Sequence, residues 1–460
     1  MAFFSDSLCT ETAGGAMRPD GFASSPICRI PPEILSDVFL LCLREDGLPA
    51  PHHLEAPLLL CHTCKLFQNV AYGTSHMWAG ISMCRNAPRE DDLVILDQWI
   101  ARSGSNPLSF SLSYSKRGSK IDKLVEALVP HSWRWKDVTV DFGYAFVSDT
   151  FFDTISRGTP ALENLSIASL KSIYNDKSHP PLPPLDISSA HRLKELTVYL
   201  DLKLDFGASI LCNLRCLKIW PYIPFISLTH FLYCIDHCPA IEYFACSSEC
   251  NFGDINERVD TKVRTLQYLT HLEVQTEWGY PGPFFDRLCL PALRTLKLDT
   301  SWHISSTHSF NWPFVADLLK RSCAQVESFY LEGVPMRERH LIDCLQYTPC
   351  LKTFECKSQS TIPYRVLTVT ESNHLCPELE CIELRGRIPK GGRRATVAKM
   401  ITSRWNFGPP GEVVSVGTQD RRYLRKVVVD DSLADTHLLQ NPALARCVEE
   451  GLEITFGLDN

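Results

Sequence analysis

The chain has 460 residues, of which 45% are hydrophobic and 22% charged, with a formal net charge of -7. That length exceeds a single compact core and indicates two domains or an extended array, with a globular rather than a disordered composition. The acidic balance disfavours general attraction to nucleic acid. Met1–Pro19 has neither a basic n-region nor a sustained apolar h-region, and residues 1–26 are expected to be disordered. No apolar run approaches the roughly 18–20 residues that span a bilayer. No membrane partner is therefore expected, and the expected location is cytoplasmic, nuclear or both. The 20 cysteines fall below the ~8–10% that marks a disulfide scaffold. Most, such as Cys212, Cys216, Cys234 and Cys344, sit in apolar runs, where reduced thiols behave as small hydrophobes.

The first periodic segment is Ile30–Leu43. Proline at the first helical position loses nothing, because its absent N–H would have no partner there. Glu33 falls in the first turn, where the macrodipole favours an anion. Ile34, Leu35, Val38, Phe39, Leu41 and Cys42 recur at three- and four-residue offsets and form a wide apolar stripe. Gly47, Pro49 and Pro51 break the pattern. A second helical stretch runs from Ala56 to Ala71, ends near Gly73, and is followed by Trp78.

These residues carry a resemblance. Ile30 to Leu40 is similar to the opening of an F-box, in which an apolar residue, a proline, a glutamate and an Ile-Leu pair begin the domain. Leu60-Cys61-His62-Thr63-Cys64-Lys65-Leu66-Phe67 resembles its second half, and Met77-Trp78 its closing tryptophan. The similarity covers residues 27–82. The doubled Pro31-Pro32 and the extra loop near Arg44–Glu55 resemble the F-box families expanded in mushroom-forming fungi. The resemblance implies docking onto the Skp-type adaptor, and through it the cullin, of an SCF-type ubiquitin ligase. A module of about 50 residues cannot bury this whole stripe internally, and an exposed apolar patch marks a partner site. The expected docking residues are Ile30, Pro31, Pro32, Glu33, Ile34, Leu35, Val38, Leu59, Leu60, Cys64, Phe67 and Trp78, with Lys65 orienting at the rim. The plainer alternative is an amphipathic helical hairpin capping the next domain.

Residues 83–130 are expected to connect this module to a repeat array over 131–430, with 431–460 as a C-terminal segment. The array is marked by apolar-x-x-apolar-x-apolar. It recurs as Leu162/Leu165/Ile167, Leu193/Leu196/Val198, Leu214/Leu217/Ile219, Ile241/Phe244/Cys246, Leu269/Leu272/Val274, Leu293/Leu296/Leu298, Val326/Phe329/Leu331, Leu351/Phe354/Cys356 and Leu379/Ile382/Leu384. The mean spacing is about 27 residues, within the range of leucine-rich repeats. Trp135/Val138/Val140 and Leu424/Val427/Val429 are outlying copies.

Amphipathic helices at Leu228–His237, Phe314–Arg321 and Arg339–Tyr347 lie between these strands. Pro160, Pro239, Pro291, Pro349 and Pro377 stop a preceding segment two residues before the next apolar position. The expected fold is therefore an α/β solenoid, an irregular array of parallel strands plus helices, preceded by the small all-α module. It resembles the degenerate leucine-rich-repeat half common in F-box proteins. A conventional α/β domain is the alternative. His179–Pro184 reads as an extended linker.

Residues between the apolar strand positions point to the open face. They mix charges with small and aromatic side chains, which suits a protein target better than nucleic acid. Candidates are Glu195, Lys218, Tyr243, His271, Glu273, Lys297, Tyr330, Glu355 and Glu383, with the two tyrosines as anchors. From Arg385 to Lys426 the chain is basic, which suits either an acidic partner, a phosphate or RNA, or a solvated loop offsetting the acidic remainder.

No Gly-x-Ser-x-Gly is present, and Gly386–Arg393 lacks the Gly-Lys-Ser/Thr ending of a phosphate loop. Cys61-x-x-Cys64 is at most half of a four-ligand zinc site and fits better as helix positions. No catalytic residue, metal or cofactor is assigned. The expected function is that of a substrate-recognition adaptor, not an enzyme, with a non-ligase scaffold as the alternative and an enzyme site in the repeats behind it.

Overall fold

In a computed structural model the chain forms two compact units, residues 1–83 with 94–106 and residues 84–93 with 107–460. The structure describes residues 26–85, 89–114, 121–143, 149–169, 183–221, 227–248, 261–276, 281–300, 312–334, 336–358, 360–371, 373–386, 393–406, 424–430 and 438–457. The expected disordered N-terminal stretch, the proline-rich linker and most of the basic run lie outside or largely outside these residues.

The first unit begins with helix α1 (Pro32–Leu41), which carries proline at its first position and Glu33 in its first turn. Pro31 is the extended residue before it, and its carbonyl accepts the Leu35 N–H at 3.0 Å. The second helical stretch is divided, not continuous as expected. Helix α2 (Leu58–Cys61) stops at His62, and α3 (Lys65–Gly73) restarts after Cys64, whose backbone is fully extended at φ -161°, ψ 168°. The Thr63 hydroxyl donates to the Leu59 carbonyl at 3.1 Å, the kind of side-chain bond that competes with helix continuation.

Strand β1 (Gly80–Arg85) follows, and then helix α4 (Asp92–Arg102), whose residues from Val94 belong to this unit. The module thus extends beyond the expected end at 82, because Trp99 closes its core. Trp99 meets Trp78 edge-on at 4.8 Å and donates its indole N–H to the Gly80 carbonyl at 2.8 Å. Trp78 is fully buried, donates to the Ala71 carbonyl at 2.8 Å, and is covered by the Arg102 guanidinium 4.6 Å from its ring.

The second unit is built on one long parallel sheet. In chain order its strands are β2 (Leu108–Tyr114), β3 (Trp135–Asp141), β4 (Asn164–Ala168), β5 (Leu185–Asp186), β6 (Glu195–Tyr199), β7 (Leu204–Asp205), β8 (Cys216–Ile219) and β9 (Tyr243–Ser248). They continue as β10 (Arg264–Thr265), β11 (His271–Thr276), β12 (Leu288–Cys289), β13 (Thr295–Asp299), β14 (Ser328–Glu332), β15 (Thr353–Lys357), β16 (Cys381–Arg385), β17 (Lys426–Asp430) and β18 (Glu453–Gly457). The two-residue pairs β5–β7 and β10–β12 stand apart, and the others follow one another in sequence order across the sheet. Connecting segments carry helices, among them Leu228–His237, Pro313–Ser322 and Glu338–Gln346, within a residue of their expected bounds. The architecture is an open α/β sheet of solenoid-like connectivity.

Every apolar position of the repeat is buried, including the leading Leu162, Leu193, Leu214, Ile241, Leu269, Leu293, Val326, Leu351, Leu379 and Leu424. Leu165, Leu196, Leu217, Phe244, Leu272, Leu296, Phe329, Phe354, Ile382 and Val427 are paired strand to strand in one row. Both outlying copies lie in register with this row. Besides the two-residue pairs, two strands of this unit, β2 and β18, lie outside the repeat pattern. The supposed connection 83–130 contains β2 and the helix Ile121–Leu128, and the C-terminal segment contains the helix Pro442–Glu449 and β18. In β2 the burial of Leu108, Phe110, Leu112 and Tyr114 follows plain alternation without the leading leucine.

At the start of β3 and one residue before most of the later strands of the long sheet, the backbone forms a second ladder. Glu163 N–H donates to Lys136 O, Lys194 to Glu163, Arg215 to Lys194, Glu242 to Arg215, Glu327 to Arg294, Lys352 to Glu327, Glu380 to Lys352 and Arg425 to Glu380. Side chains at these stacked positions largely alternate in sign. Lys194 pairs with Glu163 at 2.8 Å, Lys352 with Glu327 at 3.1 Å and Arg425 with Glu380 at 3.7 Å, while Arg294 also binds Glu327. Each exposed pair contributes little, but a coil slipped in the stack would set like charges together. Several described cations of the basic run are also engaged within the chain. Arg385 binds Glu383, Lys426 binds Glu453 at 3.2 Å, and the buried Arg404 donates to the carbonyls of Leu367, Leu375 and Cys376.

Replacing Glu327 by lysine is expected to lower the unfolding midpoint at low salt, with the loss shrinking as salt screens the stacked cations; denaturant titrations at two ionic strengths check this. Gly386 has φ +109°, and a Cβ there would lie 2.6 Å from the Ser358 carbonyl oxygen. Gly386→Ala is expected to destabilise the second unit by more than about 1 kcal/mol, read from the shift in its denaturation midpoint.

Candidate functional site

Two faces answer to the residues singled out in the sequence, one in each unit. In the first unit the apolar stripe of α1 is divided between core and surface. Leu35 and Phe39 face inward, and Phe39 meets Phe67 edge-on at 4.9 Å. Ile34, Val38 and Leu41, at four- and three-residue spacing, are 52%, 46% and 86% exposed. Leu59 on α2, Ile30 and Leu54 are exposed as well. Pro31, Pro32, Glu33, Cys64 and Lys65 are also at the surface, with Lys65 donating to Gln68 at 2.8 Å.

Three expected docking residues are corrected. Leu35, Leu60 and Trp78 are sealed within the module's own core, where they hold α1, α2 and the turn before β1 together, so they present no side chain to a partner. Phe67 is half-buried against Phe39. The sequence reading missed Leu41 and Leu54 as surface groups. Leu41 was accessible to it, lying seven residues after Ile34 on the same stripe.

The cysteines also depart from a uniform buried role. Cys234 and Cys344 are buried, and burial raises both thiols. Cys212 is exposed and Cys216 half-exposed on the open strand face. Burial pushes Cys61 up to about 11, whereas Cys64 is exposed at the start of α3. Among the described residues no group of three or more His, Cys, Asp or Glu side chains is placed to hold a metal ion.

In the second unit, alternate strand positions bury the apolar rows and leave the intervening side chains on the open face, as in β13, β14, β15 and β16. The middle of that face contains a depression of about 410 Å³ lined by six of the nine expected target-binding residues: Tyr243, His271, Glu273, Lys297, Tyr330 and Glu355. The register brings them together, since Glu273 pairs with Lys297, Lys297 with Tyr330, and Tyr330 with Glu355 on successive strands. Glu332 and Lys357 also line it and were missed. They occupy the strand position just past the last apolar residue, which the same alternation assigns to the open face. Glu195, Lys218 and Glu383 lie outside the lining. Lys218 sits 4.9 Å over the Tyr243 ring, and Glu383 binds Arg385.

Fixed hydrogen bonds organise one side of the depression. The Tyr243 hydroxyl donates to Glu273 at 2.8 Å, Lys297 pairs with the same carboxylate at 2.6 Å, and the Tyr243 and His271 rings stack at 5.7 Å. Burial, followed by the bond to Glu273, raises the Tyr243 phenol. Burial pulls the Lys297 ammonium down, but the Glu273 hydrogen bond and charge outweigh it and the net shift is upward. Lys357 binds Glu332 at 3.1 Å. Glu355 differs from these carboxylates, because it makes no hydrogen bond or ion pair among the described residues. Burial, and then the neighbouring Glu383 charge, raise its carboxyl above the ordinary range. The assembled surface offers ring faces and fixed charges of both signs to an extended ligand. No helix among the described residues is long and apolar enough to cross a membrane.

No protein-family model matches this chain, and no curated protein sequence matches it.

A carboxyl raised by folding is one whose ionised form the fold disfavours, so Glu355 costs stability at neutral pH and the cost disappears as acid protonates it. Glu355→Gln is therefore expected to stabilise the protein at pH 7, with the gain fading as pH falls through the raised value and absent below the ordinary carboxylate range. Denaturant midpoints of both proteins across that pH range decide the sign.

Proposed function

We propose that this protein is a substrate-recognition adaptor of an SCF-type cullin–RING ubiquitin ligase. Its N-terminal unit serves as an F-box that docks a Skp-type adaptor and so reaches the cullin. The second unit, taken as degenerate leucine-rich repeats, holds a protein target on its open strand face. Such a protein works through effective concentration, because a target held beside the transferring enzyme reacts intramolecularly.

One observation carries this proposal: Ile34, Val38, Leu41 and Leu59 remain exposed although Leu35, Phe39, Leu60 and Trp78 already close the module's core. Water-exposed aliphatic side chains, three on the α1 stripe and one on α2, are costly surface unless a partner covers them. Each is worth roughly 1.5–3 kcal/mol when buried, so the four together suffice for a stable complex.

Co-expression with a Skp-type adaptor is expected to yield a complex. Ile34→Asp combined with Val38→Asp changes only exposed positions and is expected to weaken that complex at least about 100-fold while near-ultraviolet circular dichroism stays native. Leu35→Asp, by contrast, should unfold the module. A natively folded double variant with undiminished adaptor binding would exclude the docking assignment.

A further inference from the structure

We infer that the open strand face selects a cationic side chain, an arginine or lysine on an extended basic segment of the partner, seated on the Tyr330 ring against the Glu355 carboxylate. This rests on the proposal that the open face holds the target, and it names the chemistry of what is held.

The argument is one of charge and ring complementarity within the depression. Of its three carboxylates, Glu273 is matched by Lys297 and Glu332 by Lys357. The adjacent Glu383 is matched by Arg385. Glu355 alone among these four lacks a hydrogen bond or ion pair to any described residue, although it is half-buried. Arg385 and Lys297 attract it without bonding to it, and burial with the Glu383 charge outweighs them; a cation with N–H donors seated on the carboxylate would offset that remaining penalty.

The rings are divided in the same way. Tyr243 is occupied on one side by Lys218 and stacks on His271. Tyr330 has neither ring nor cation partner among the described residues, and it lies directly across the ladder from Glu355. An open aromatic face beside an unmatched carboxylate is the pairing that holds a guanidinium or ammonium, by cation–π attraction on one side and a charge-assisted bond on the other. An acidic segment would instead meet Glu355 with Glu332 and Glu383 flanking it.

The experiment uses the full chain and fluorescein-labelled peptide pools of equal length with arginine, lysine, citrulline or glutamate fixed at the centre. Binding is read by anisotropy to millimolar protein. The arginine or lysine pool is expected to bind, with the citrulline and glutamate pools at least tenfold weaker and the preference declining with salt. Glu355→Gln and Tyr330→Ala should each reduce arginine- or lysine-pool binding at least tenfold while a single cooperative thermal unfolding transition is retained, at a raised midpoint for Glu355→Gln. Glu242→Gln, which alters the Arg215 pair outside the depression, should leave binding unchanged. Equal binding of all pools, or undiminished binding by Glu355→Gln, would overturn the inference. Preference for the citrulline or glutamate pool, lost with Tyr330→Ala, would overturn the cationic class while sparing the open face as a binding surface. Absence of binding by every pool, or binding that neither variant reduces, would count against both.

Discussion

The row of side chains running from Leu165 through Phe244, Leu272 and Phe354 to Val427 is the constraint on which the second unit depends. A coil of some 27 residues has too little volume to hide its inward side chains by itself, so its neighbours must complete the burial. Register follows from the same requirement. A slip of one residue would turn every leucine outward and every open-face charge into the core. The charged positions just before the strands reinforce this, because Glu163, Glu327 and Glu380 each sit beside a cation only in the observed stack.

Once the apolar rows are fixed, the open face has little freedom. Its side chains are carried in rows across the strands, and hydrogen bonds between neighbours use most of the charge, as with Tyr243, Glu273 and Lys297. Glu355 is the exception. Folding raises its carboxyl through burial and the nearby Glu383, so the native state retains a carboxylate that is harder to keep ionised than in the unfolded chain. A position of this kind lowers stability in the isolated protein and has something to gain from a ligand.

The first unit solves a different problem. A small helical module carries more apolar surface than it can enclose, and α1 splits its stripe into an inward half, Leu35 and Phe39, and an outward half, Ile34, Val38 and Leu41. The inward half is completed by α4, where Trp99 packs on Trp78. Core and surface therefore alternate along a single helix within one turn, and neighbouring residues that look equivalent in hydrophobicity have opposite roles.

Periodicity alone determined the repeat spacing, the parallel strand order, the open-face alternation and the position of the first helix, because each follows from local geometry with a period of two or 3.6 residues. The sequence could not show which apolar residues of the N-terminal module stay exposed, since Leu35 and Ile34 differ only in what the rest of the chain places opposite them. Nor could it show that Trp99 belongs to that module, that Arg404 is consumed by three carbonyls, or that Glu355 alone among the acidic residues lining the depression makes no hydrogen bond or ion pair to a described residue. Those outcomes depend on partners tens of residues away, brought together only when the coils stack and the helices close over one another.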